Sequence, residues 1–160
     1  MYCAGMSAPT RPRHVTFLLA QVGSEVSRHF AERLHPLGLA PSDALCLRII
    51  ALAGPLNQRQ LAERMGLVPS RVVTLIDALE GRGLVQRRTS THDRRHRELS
   101  LTDDGLTVFG RLRAVAVEHE REFTADLTDD DVATLLRLLG TVAAARGLAS
   151  EAQPDLSPVV

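Results

Sequence analysis

Aromatic residues are scarce in this chain: 3% of 160 residues, with no Trp. A core built without large rings must come from Leu, Val, Ile and Ala, which points to packed helices. Lysine is absent as well, so all 19 basic residues are arginine, balanced by 19 acids to a net charge of zero. No run of 18 apolar residues occurs, which argues against a membrane span. The first ten residues lack the apolar middle of a secretion signal, and only two cysteines, Cys3 and Cys46, are present. Both features favour a cytoplasmic chain without disulfides. Missing too are G-x-G-x-x-G, the P-loop, G-x-S-x-G, C-x-x-C and H-E-x-x-H, so nothing supports an enzyme, a cofactor or a metal site.

What is present is a strong helical periodicity. Arg13 to Leu37 carries Val15, Leu18, Val22, Val26, Phe30 and Leu34 at steps of three or four, ended by Pro36 and Gly38. Ser42 to Ala53 is a more apolar helix stopped by Gly54-Pro55. Asn57 with Gln60 forms a capping box for a short helix to Met65. Pro69 opens the next, which runs to about Glu80. Leu84–Arg88 and Arg97–Leu101 read as two strands joined by a basic loop. Thr102 and Thr128, each followed by acids, open two further helices. There is no internal repeat.

The pair of short helices has a helix-turn-helix frame. Ala62 falls where two helices must cross closely, and Gly66 falls in the turn, where glycine alone adopts positive φ without cost. The hairpin that follows completes a winged helix. The fold class expected is therefore mainly α with a small two- to three-stranded β wing, a winged helix-turn-helix plus a helical dimerisation region. The expected division is a flexible tail over 1–12, dimerisation helices over 13–38 and 103–147, the winged unit over 39–102 and a second flexible tail over 148–160. The first helix and the last two each carry an apolar face that a winged unit cannot cover alone, and a homodimer would cover them.

Charge distribution supports a nucleic-acid partner despite the neutral total. Between Arg59 and Arg97 stand nine arginines against Glu63, Asp77, Glu80 and Asp93. Ser70, Arg71 and Thr74 lie on the outward face at the start of the second helix of the pair, where a guanidinium suits guanine O6 and N7. Asn57, Gln58 and Arg59 begin the preceding helix, placed to hold phosphate. Arg94, Arg95 and Arg97 belong to the basic wing. His92 and His96 flank its loop, but no Cys or third ligand accompanies them.

The segment Asp93-Arg-Arg95-His-Arg-Glu-Leu99-Ser-Leu101-Thr102-Asp-Asp-Gly105 resembles the wing signature D-x-R-x-x-x-L-x-L-T-x-x-G of the MarR (multiple antibiotic resistance regulator) family. Gln60–Leu67 and Leu79–Val85 also resemble family segments, and the likeness extends over roughly Val15 to Arg146. It implies a homodimeric transcriptional regulator, a repressor, on a pseudo-palindromic site in double-stranded DNA. The recognition helix would enter the major groove and the wing arginines, Arg95 foremost, the minor groove, with Asp93 bracing the loop. The family usually carries Thr near 71 and Arg near 74, so its base preference does not transfer to this chain. The resemblance also implies a small aromatic or phenolic effector in a cleft between the first, second and fifth helices, with His14, His29, Arg48 and Arg113 as its polar candidates. Two other readings stay open: a winged helix that binds protein, and a redox-responsive regulator acting through Cys3 or Cys46.

Overall fold

The computed structural model describes residues 14–54, 56–89 and 97–148. Six α-helices and one hairpin follow in order: α1 (Val15–Leu34), a 3₁₀ turn (His35–Leu37), α2 (Pro41–Ala53), α3 (Gln58–Met65), α4 (Pro69–Gly81), β1 (Val85–Thr89), β2 (Arg97–Leu101), α5 (Asp103–Phe123) and α6 (Asp129–Ala145). The mainly α fold with a small β wing is the one expected.

Several boundaries move for identifiable reasons. The first helix ends at Leu34, three residues early, because Pro36 has no N–H for another α turn and His35–Leu37 tightens to 3₁₀. Pro41 is the first residue of α2 and suits that position, where its missing N–H is no loss. There the Asp43 carboxylate accepts the Ala40 N–H at 3.0 Å. The sheet has two strands, Val85 opposite Leu101 and Thr89 opposite Arg97. Two strands fall within the two to three expected, and a single bridge adds to them, in which Leu99 N–H donates to Leu56 O at 2.8 Å. The tails expected at 1–12 and 148–160 lie outside the described residues, Leu148 excepted.

The core is aliphatic. Leu34 and Leu47 pack with Leu61, Val72, Ile76 and Leu79 in one cluster that continues through Val85 and Leu99 to Leu112. Each such fully buried side chain stabilises by about 1.5–3 kcal/mol. α6 contrasts with this: not one of its residues is buried. Among the described residues no single helix is long and apolar enough to cross a membrane.

Candidate nucleic-acid interface

The capping box of α3 forms as the spacing predicts. Asn57 Oδ1 accepts the Gln60 N–H at 3.0 Å, and Gln60 Oε1 accepts the Asn57 N–H at 2.9 Å. The helix closes at Gly66, φ 63°, where Gly66 N–H donates to Glu63 O and Leu67 N–H to Ala62 O. This paired closure is what a left-handed residue permits, and it aims the chain into α4. Val72, Ile76 and Leu79 anchor α4 in the core. Ser70, Arg71 and Thr74 are thereby left exposed on the opposite side, as expected.

The hairpin is attached to α4 by more than hydrophobic packing. Strand alternation puts Val85 and Arg87 on one face of β1, the face turned to the core. Arg87, its side chain 15% exposed, forms ion pairs with both Asp77 and Glu80 of α4. Its backbone N–H also donates to Glu80 at 3.3 Å. The carboxylates raise its pKa over the opposing effect of its partial burial.

At the base of the hairpin the LT-x-x-G end of the wing motif becomes intelligible. Thr102 Oγ accepts the Gly105 N–H at 2.9 Å and donates to Gly83 O, while Thr102 N–H donates to Leu84 O at 3.2 Å. These bonds press the first turn of α5 against Leu84. A Cβ on Gly105 would stand 2.0 Å from Leu84 O, so no other residue fits.

The other expected contact residues divide. Arg59 is largely exposed and pairs with Glu63 at 3.1 Å. Gln58 is half-buried and its Nε2 is shut away from solvent without a hydrogen-bond partner, an unsuitable pose for holding phosphate. The Asn57 oxygen is spent on the cap, leaving its amide hydrogens for a partner. Arg97 is exposed on β2, as is Arg88 on β1. Asp93, Arg94 and Arg95, with His92 and His96, lie outside the described residues. The count of nine arginines overstates the available charge, since Arg82 pairs with Asp43 at 3.3 Å and Arg87 with two acids. Arg71 has no ion pair among the described residues.

A cavity of about 370 Å³ opens between α1, α2 and α5, the three helices expected to line a cleft. Arg48 and Arg113 are in its wall, with Phe30, Leu45 and Phe109. His14 is not: it precedes α1 and is exposed. His29 does not line the cavity either, but its ring lies 5.5 Å from that of His119, which does. No motif in the sequence marks His119, although it continues the apolar spacing of Leu112 and Ala116 along α5. It is 8% exposed, both ring nitrogens are buried without a hydrogen-bond partner, and Phe30 and Phe123 flank its ring at 5.3 and 5.9 Å. Burial, then the neighbouring His29 and Arg33, hold its pKa below the ordinary 6.5. Among the described residues no cluster of three metal-ligating side chains occurs. Cys46 is buried, and burial, with Asp43 adding a little, pushes its thiol up to about 12.

Residues 39–96 match the model of the MarR family. A Thauera aromatica protein assigned to regulation of the hcr operon is 33% identical over 102 residues, 64% of this chain; the chain spans 61% of that relative's length. The HTH-type transcriptional repressor MdtR of Bacillus subtilis is 30% identical over 108 residues, covering 68% of this chain and 70% of that protein. The solved structure of the transcriptional repressor CouR bound to a 23-mer DNA duplex superposes with a TM-score of 0.72 at 33% identity, over 81% of this chain and 92% of that one. These relatives are regulators rather than enzymes, and the chain belongs to the MarR family of transcriptional regulators.

Proposed function

We propose that this regulator is a repressor that binds a pseudo-palindromic operator as a homodimer. The observation that carries the reading is α4: one side is locked in the core by Val72, Ile76 and Leu79, and the other presents Ser70, Arg71 and Thr74 beside a basic hairpin. A helix of that shape fits the major groove, where Arg71 would read guanine and Ser70 a base edge or phosphate. Asn57 and Arg59 would hold the backbone, with Gln58 contributing only if its side chain turns outward. Arg94, Arg95 and Arg97 would enter the minor groove, with Asp93 bracing the loop. Such work belongs in the cytoplasm, where the DNA is.

Dimerisation is supported by the surface that this chain leaves bare. Leu135, Leu136, Leu139 and Val142 of α6 and Val15, Phe17 and Val22 of α1 are all exposed. A 17-residue helix with no buried residue gains little from packing, which is where most helical stability in proteins comes from. A second copy of 13–38 and 103–147 would supply the missing contacts and set two copies of 39–102 at operator spacing. The cavity would take a small aromatic or phenolic acid: aromatic and aliphatic walls for the ring, Arg48 and Arg113 for the anion. Because α5 runs from the wing base at Gly105 to His119, a ligand that shifts α5 would move the wing and weaken DNA binding.

The test is binding of the full chain to its own upstream DNA, across salt and against nonspecific competitor. The expected result is a competitor-resistant complex of two chains per site that loses about a thousandfold in affinity over a fourfold rise in salt. Weak, salt-insensitive binding would instead identify a winged helix whose partner is a protein.

A further inference from the structure

We infer that Val73 reads a thymine, packing against the C5 methyl of one thymine in each half-site, with the methyl of Thr74 beside it. The inference rests on the reading of α4 as the helix in the major groove. Val72 is fully buried while Val73, about 100° round the helix, is 41% exposed, so Val73 is not needed to close the core. A second valine, Val68, precedes the helix at 59% exposure.

A lone exposed hydrophobe means little; the state of its polar neighbours gives this one meaning. The Thr74 hydroxyl donates to Ser70 O at 3.2 Å, so its hydrogen is spent within the helix. The Asp77 carboxylate, the group on this face that would accept from cytosine N4, is held by Arg87. The Thr74 and Asp77 oxygens can still accept, but the donors left to base edges are the Arg71 guanidinium and the Ser70 hydroxyl, and beside them the face carries methyl groups. In the major groove a guanidinium matches guanine, and thymine alone presents a methyl.

Duplexes selected by the full chain from a randomised pool supply the probe. Each thymine is then replaced in turn by deoxyuridine, which deletes the methyl and leaves the hydrogen-bonding edge intact. At one thymine per half-site the replacement should weaken the wild-type chain about fourfold, the value of one buried methyl group. Val73→Ala should bind the thymine and uracil duplexes alike. Should Val73→Ala melt below the wild type, Val73→Thr, which keeps one methyl and the same shape, carries the test by losing part of the discrimination. Equal penalties in wild type and variants at every thymine, or no sensitive thymine at all, overturn the inference and leave the proposed function standing. Failure to select any sequence overturns both.

Discussion

Arg87 on strand β1 is tied to Asp77 on helix α4, and through Glu80 it holds the same helix a second time. The wing and the helix that it flanks are therefore one electrostatic unit, built where a core-facing arginine would otherwise be an uncompensated charge. Arg87→Gln should lower stability by about 1–2 kcal/mol, since hydrogen bonds to charged groups are the stronger kind. It should weaken DNA binding, because Asp77 and Glu80 then stand unpaired beside the DNA, and least where a cytosine N4 can donate to the freed Asp77. Adding Asp77→Asn to Arg87→Gln should recover part of the affinity but not the stability. Urea denaturation and fluorescence anisotropy at two salt concentrations separate the two effects.

Gly105 and Gly110 lie five residues apart in α5 and should respond in opposite directions. A Cβ at 105 meets Leu84 O at 2.0 Å, whereas a Cβ at 110 has nothing within 4 Å. Gly105→Ala must push the wing base away from α5, and overpacking against backbone should cost about 3 kcal/mol. Gly110→Ala should stabilise by up to about 1 kcal/mol through helix propensity alone. Thermal melting of both variants checks the contrast, and equal shifts would show that the 105 position is not crowded.

The helices were legible because their determinants are local. Apolar spacing set α1, α5 and α6, the Asn57–Gln60 pair set the start of α3, and Gly66 marked its end. The exposed trio Ser70, Arg71 and Thr74 followed from the same 3.6-residue geometry. Long-range pairings were hidden. Alternation with Val85 puts Arg87 on the inward face, but nothing near it says that Asp77 waits there, because that depends on how the hairpin packs against α4. For the same reason the linear charge count could not discount Arg82 and Arg87. His119 could have been found as a polar residue at an apolar position, but only the crossing of α1, α2 and α5 shows that it borders a cavity.

Cys46 should be chemically silent in the native protein. With its thiol pushed up to about 12 by burial, Cys46 stays protonated at pH 8, and thiolate is the reactive form. In a Cys3→Ser background, a thiol-specific reagent at pH 8 should label the chain only after denaturant is added. Rapid labelling of the folded protein would revive a redox role for Cys46.

His119 should make the fold acid-sensitive. Burial and the neighbouring His29 and Arg33 lower its folded-state pKa, outweighing the opposite pull of Glu120 and Glu122. The folded state therefore prefers the neutral ring, while the unfolded chain takes up a proton near the ordinary 6.5. The stability contributed by the neutral ring is present above that value. It declines as pH falls through 6.5 toward the lower folded-state pKa, because the unfolded state then binds the proton more readily. His119→Gln should flatten this part of the stability profile, and His119→Phe should flatten it while restoring apolar packing against Phe30 and Phe123. Urea midpoints between pH 7.5 and 5 give the profile. An unchanged slope in both variants would assign the acid sensitivity to another group and leave His119 as a packing residue only.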